Sequence, residues 1–162
     1  MKRSLSLAFT TGLLSAIWAW VAVALTLPSW AGFLGCTAFF ACPHKDRRGL
    51  LITFATLSSG VAWAQIILHL SALTTGSLAG YALTGVVAFL MCIQAQRRLL
   101  AFIPGTFIGA CATFAAQGDW RTVVPSLAVG LLFGYAMKNS GLWLAAWRDR
   151  AANPSTKKSA AE

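Results

Sequence analysis

One apolar string occurs twice in the chain, 74 residues apart. Ala31-Gly-Phe-Leu-Gly-Cys-Thr-Ala-Phe-Phe-Ala41 aligns without a gap with Gly105-Thr-Phe-Ile-Gly-Ala-Cys-Ala-Thr-Phe-Ala115. Phe33 and Phe107, Gly35 and Gly109, Ala38 and Ala112, Phe40 and Phe114, and Ala41 and Ala115 are identical pairs. The match extends on both sides. Thr11-Gly12 pairs with Thr84-Gly85, and Leu57, Gly60 and Ala62 pair with Leu131, Gly134 and Ala136. Each copy therefore holds three apolar segments. An odd number of membrane crossings reverses direction, so the second copy of such a unit must insert upside down relative to the first. The expectation is an all-α membrane protein, with six transmembrane helices arranged as two inverted three-helix repeats. Repeat one covers about 5–70 and repeat two about 78–147.

The chain has the material for this. Of its residues, 57% are hydrophobic and only 10% charged, too few charges to coat a soluble globule of 162 residues. Apolar segments are read at 5–24, 25–42, 49–70, 78–95, 99–116 and from 122 to at least 137. The first begins after Met-Lys-Arg and resembles a secretory signal. It runs on to Leu27, longer than a signal core, and takes part in the duplication, so it is kept in the mature chain. The second and fifth segments, with Pro28 and Pro104-Gly105 near their starts, are borderline in length for spanning.

Charge placement selects the topology. If all six segments cross, Lys2, Arg3, Lys45, Arg47, Arg48, Arg97, Arg98 and the basic residues from Arg148 onward share one side. That side holds 11 of the 13 Lys and Arg residues, with Lys138 near a helix end and Arg121 opposite. Positive loops stay in the cytoplasm, so both termini are expected there. The same pattern accounts for the net charge of +9 without nucleic acid as a partner. The stretch 148–162 is polar and lacks an apolar face, and is expected to be a disordered cytoplasmic tail.

The acids are Asp46, Asp119, Asp149 and Glu162, all in loops or the tail. Proton- or cation-driven carriers commonly keep a carboxylate within the membrane, so coupled transport is disfavoured. No Ser-His-Asp set or carboxylate pair can be assembled, and the chain is not expected to be an enzyme. Cys36, Cys42, Cys92 and Cys111 form no C-x-x-C pair and read as small packing residues, with no metal or cofactor implied.

Small residues recur at helical spacing in both halves: Gly32, Gly35, Ala38 and Ala41, then Gly105, Gly109, Ala112 and Ala115. Such faces let helix backbones approach closely. Tight packing alone explains them. The functional reading places the two glycine-rich helices along a narrow passage with Phe33, Gly35, Phe40, Phe107, Gly109 and Phe114 as its candidate residues. Gln94 is expected to cap or snorkel at a helix end and Lys138 to reach the interface, while the seven tryptophans read chiefly as membrane-interface anchors.

Four longer strings carry a family resemblance. They run 30–43, 87–95, 104–115 and 134–145, including Trp30-Ala-Gly-Phe-Leu-Gly-Cys and Gly134-Tyr-Ala-Met-Lys-Asn-Ser-Gly141. Together they resemble the YcdZ-like family of small bacterial inner-membrane proteins of unknown function, over about 4–147. The resemblance implies an inner-membrane location and a multi-pass helical fold, and transfers no functional residues. The residues themselves suggest a channel or facilitative transporter for a small neutral or weakly anionic solute, working as a homo-oligomer in the lipid bilayer. The rival is a non-transporting membrane scaffold or assembly partner.

Overall fold

The computed structural model describes residues 2–73 and 77–152. Among them the chain is all helical: α1 Lys2–Ala24, α2 Ser29–Ala41, α3 Arg47–Leu73, α4 Ser77–Ile93, α5 Ile103–Ala115 and α6 Trp120–Ala152. Two short 3-10 turns, Gln94–Gln96 and Arg98–Leu100, link α4 to α5. Four stretches are long and apolar enough to cross a membrane: Ser4–Ala24, Arg47–Leu73, Leu78–Gln96 and Trp120–Arg148. The helices α2 and α5 have 13 residues each. At ~1.5 Å per residue each is about 20 Å long, short of a ~30 Å hydrocarbon core.

Local chemistry sets these bounds. Pro28 precedes α2 and its carbonyl accepts from the Ala31 and Gly32 N–H groups, closing the first turn. Pro104 stands in the first turn of α5, where a missing N–H costs nothing. The helix α5 ends where Gln117 and Gly118 turn left-handed, at φ 53° and 89°. Gly118 then returns its N–H to the Thr113 carbonyl at 2.9 Å. The helix α6 runs unbroken through Pro125 and past Gly141 to Ala152. Residues 148–152, expected in a disordered tail, instead extend this helix, and the rest of that tail lies outside the described residues.

Contacts along each pair give the helix directions. Pro28 lies against Ser126, Gly32 against Gly130, Cys36 against Gly134 and Phe39 against Lys138, so α2 runs parallel to α6. Gly105 lies against Thr56, Gly109 against Leu57 and Gly118 against Gln65, so α5 runs parallel to α3. The helix α1 is antiparallel to α6, with Leu7 at Gly141, Thr10 at Met137 and Trp18 at Phe133. Antiparallel packing also joins α4 to α3, with Gln94 at Ser59 and Val87 beside Ala64 and Ile67. Cys42 Sγ against the Gly49 carbonyl, at 3.9 Å, marks the reversal from α2 into α3. Successive helices thus alternate in direction. Each short helix lies along the long helix of the other half of the chain, and an apolar cluster including Ala38, Leu57, Ala112, Val123 and Leu127 fills the space between.

Glycine decides how close these pairs come. A methyl group at Gly35 would strike the Leu127 carbonyl of α6, and one at Gly109 would strike the Leu57 carbonyl of α3. Gly60 meets the backbone at Thr106 and Ala110, and Gly134 that at Cys36. Gly12, by contrast, has nothing within 4 Å of a built Cβ. Leucine at Gly60 or Gly134 is expected to cost about 3 kcal/mol or more by forcing two backbones apart. The same change at Gly12 is expected to be nearly silent. Thermal unfolding of the purified variants in detergent checks this, and an equal loss at all three positions would refute it.

Candidate functional site

The residues expected to line a passage fall into two groups. Gly35 and Gly109 are buried in the helix crossings, with a backbone carbonyl against each. Phe33, Phe107 and Phe114 point outward from the bundle, each 40% exposed, and Phe40 is half-buried. The phenyl rings and the glycines therefore occupy different faces of the same helices. This follows from helical spacing: Gly32, Gly35 and Phe39 turn toward α6, while Trp30, Phe33 and Thr37 turn away.

The ends of the short helices are tied by polar side chains of the long ones. Lys138 of α6 donates from Nζ to the carbonyls of Phe39 and Phe40, each at 3.3 Å, and of Cys42 at 3.4 Å. Its ammonium also stands 5.1 Å from the centre of the Phe39 ring. A cation at a helix C-terminus satisfies orphan carbonyls and opposes the negative end of the dipole. Lys138 was expected to reach the interface; it is half-buried and caps α2. At the other short helix Gln65 of α3 donates from Nε2 to the Gly118 carbonyl at 2.6 Å. At the start of α2, the Ser126 hydroxyl donates to the Pro28 carbonyl at 2.6 Å. These anchors matter because a helix too short to reach water must satisfy its end groups inside the protein.

Gln94 makes three side-chain hydrogen bonds within the bundle. Its Oε1 accepts from the Ser59 hydroxyl at 2.8 Å and the Trp63 indole N–H at 2.9 Å. Its Nε2 donates to Thr106 Oγ1 at 3.3 Å. One amide thereby joins the link after α4 to both α3 and α5. The sequence reading placed Gln94 at a helix end; the 3-10 turn there directs it inward instead. Trp18, which the sequence places nearer the span than the interface and within reach of neighbours, is fully buried, donates to the Ser29 carbonyl at 3.0 Å and covers Gly32. Two signals pointed to it in the sequence: a tryptophan well inside a span, and a glycine one helix later with room for a ring.

A pocket of ≈ 290 Å³ opens beside the α2–α3 connection and the start of α5, lined by His44, Arg48, Arg98, Ile52 and Phe102 among others. Between α3 and α6, by contrast, Phe54, Leu57, Val61, Val124 and Leu127 surround only a small apolar gap. Among the described residues no group of three or more His, Cys, Asp or Glu side chains is placed to hold a metal ion.

The relatives match this helical, acid-poor chain along most of its length. A family described as protein of unknown function, DUF1097, matches residues 8–142. The chain belongs to that family. It is 67% identical over 147 residues to the inner membrane protein YcdZ of Escherichia coli strain K12, covering 90% of each chain. It is 66% identical over 151 residues to the inner membrane protein YcdZ of Salmonella typhimurium strain LT2, covering 93% of this chain and 94% of that one. No solved structure matches it.

Two substitutions test the polar anchors. Lys138→Met keeps the stem but leaves the α2 carbonyls unmet, and Gln94→Leu strands Ser59, Trp63 and Thr106. Each is expected to destabilise the fold by about 1–3 kcal/mol. Exposed Thr37→Val on α2 is expected to change little by comparison, because its hydroxyl bonds only the Phe33 carbonyl of its own helix. Unfolding in mixed micelles measures all three.

Proposed function

We propose that the chain is a bacterial inner-membrane protein whose six helices all cross, built from two inverted three-helix units with both termini in the cytoplasm. In this reading it passes a small neutral or weakly anionic solute by facilitated diffusion, as a homo-oligomer. The observation that carries it is the matched pair of crossings. Gly35 on the α6 backbone corresponds to Gly109 on the α3 backbone, and Gly60 on the α5 backbone to Gly134 on the α2 backbone. The alternation of helix directions supports the inversion, since α1 and α4 then begin on opposite sides. Inverted units that meet across their shortest helices are a recurrent transport architecture.

Between α3 and α6 the side chains leave only a small gap, which favours a passage between copies over one through the middle of a single chain. Outward-facing Phe33, Phe107 and Phe114, with Phe40 beside them, form its apolar constriction. Gly35 and Gly109 set the depth at which α2 and α5 sit and so the position of those rings. An apolar constriction rejects hydrated ions. With Asp46 and Asp119 outside the helices and Asp149 in α6 just beyond its apolar stretch Trp120–Arg148, flux coupled to protons through a carboxylate within the membrane is disfavoured. The small gap equally favours the second reading, a membrane scaffold whose outward phenyl rings bind other subunits.

Flux into proteoliposomes separates the two. Uptake of small neutral and weakly anionic solutes is expected to be independent of a proton gradient. Widening the constriction with Phe33→Ala plus Phe107→Ala is expected to change the rate several-fold with little loss of fold. Vesicles that stay tight to a broad solute panel, while holding a well-assembled oligomer, leave the scaffold. Topology is tested separately with reporter fusions at residues 46, 75, 97 and 118. The first and third are expected in the cytoplasm and the others in the periplasm, and residue 46 in the periplasm would undo the inversion.

A further inference from the structure

The pocket at the basic end of the bundle has no role in the passage. Its lining combines two guanidiniums, Arg48 and Arg98, and the His44 imidazole with the apolar side chains of Ile52 and Phe102. Three separate elements supply these groups. His44 comes from the α2–α3 connection, Arg48 and Ile52 lie one turn apart on α3, and Arg98 stands in the 3-10 turn before α5. Ile52 and Phe102 are buried, at 4% and 8% exposure, and form an apolar floor beneath exposed Arg48 and Arg98.

We propose that this pocket is a binding site for a phosphate-bearing anion. Guanidinium groups match the planar, paired oxygens of phosphate better than any other side chain, and two of them suit a phosphomonoester or phosphodiester. Both charged side chains in the lining are cationic. Asp46, the nearest acid in the sequence, is not among the lining residues and accepts from the Gly49 N–H at 3.1 Å. Arg48 also lies in the first turn of α3, where free N–H groups add partial positive charge. At ≈ 290 Å³ the space takes a phosphate headgroup together with the carbon chain attached to it. The apolar floor suits that chain.

Membrane topology alone explains why basic residues gather at this end, but not why two of them line one pocket with an apolar floor. Positive-inside ordering is served equally by Lys45 and Arg47, which do not line it. In the proposed register of the two halves, Arg48 falls opposite Thr122 and Arg98 opposite Ala24 or Leu25. The fold therefore does not require arginine at these positions.

Two sources share this chemistry, an anionic phospholipid of the surrounding leaflet and free phosphate, and the test separates them. The full chain is placed in nanodiscs of zwitterionic lipid containing a small fraction of phosphatidylglycerol, and retained lipid is read by native mass spectrometry. In parallel, inorganic phosphate is titrated calorimetrically into discs of zwitterionic lipid only. The native protein and R47Q are expected to hold the anion, with R48Q/R98Q binding at least about tenfold less. Retained phosphatidylglycerol assigns the lipid, and saturable phosphate binding assigns the free anion. Should the double variant fail to assemble, R98Q alone, on its exposed turn, is read in the same way. No selective anion in either arm, unchanged occupancy in the arginine variants, or an equal loss in R47Q would overturn the site.

Discussion

The backbone contact between α2 and α6, and between α5 and α3, is the constraint from which the rest of the bundle follows. Lipid tails are as apolar as leucine, so helices gain little from the hydrophobic effect by pairing inside a membrane. They are held by dispersion contact and by hydrogen bonds between helices. Dispersion is worth most where two backbones touch, and only a glycine face permits that. Gly32, Gly35 and Gly130, with Gly134, bring α2 onto α6. Once α2 sits there, its last carbonyls fall beside Lys138 and its first beside Ser126. The space above Gly32 then admits the Trp18 ring, which brings α1 to the same corner.

Much of this could be read from the chain. Long uncharged runs gave α1, α3 and α4 within a few residues of their observed bounds and the start of α6, whose end at Ala152 lies well past the apolar run, and prolines marked the starts of the two short helices. The glycine spacing identified the close-packing faces of α2 and α5, and the structure places Gly35 and Gly109 at such crossings. What the spacing could not reveal is the partner. A small-residue face states that a backbone will come near, without saying which one, so the exchange of short helices between the halves had to come from three-dimensional contacts. The same limit explains the phenyl rings. Phe33 and Gly35 are two residues apart and so on different sides of the helix, although they read together as one string.

Polar residues misled for a different reason. Gln94 and Lys138 stand close to helix ends in the sequence, and at the end of a long helix such side chains reach water. Here the neighbouring helices are only 13 residues long, so their ends come within reach of side chains on the long ones. Their unmet carbonyls and hydroxyls compete with water for any donor nearby. Lys138 therefore turns to α2, and Gln94 turns to Ser59, Trp63 and Thr106. A reading that assigns interfacial roles by distance from a helix end needs the lengths of the neighbouring helices as well. Past Lys138 the α6 helix continues to Ala152, with Leu7 and Thr10 of α1 still against it at Gly141.

On the proposed duplication, positions that agree between the halves report what packing demands, and positions that differ are free for other uses. The crossing glycines agree: Gly35 with Gly109, and Gly60 with Gly134. Where the halves differ, the polar member tends to lie toward one end of the bundle. By the matched pairs, Gln94 falls opposite Val21 (offset 73, as for Thr84 and Thr11), Lys138 opposite Ala64 and Arg48 opposite Thr122 (offset 74), and Arg98, between the two registers, opposite Ala24 or Leu25. Gln94, Arg48 and Arg98 belong to the α3–α5 group, while Lys138 stands on α6 beside the C-terminal end of α2, which turns directly into the α3 start. Positive-inside ordering accounts for charge at that end, but not for the inward amide of Gln94 or the helix cap made by Lys138. On that reading the crossing glycines are what the two halves share, while Arg48, Arg98, Gln94 and Lys138, which have no counterpart of their kind in the register, lie toward the basic end.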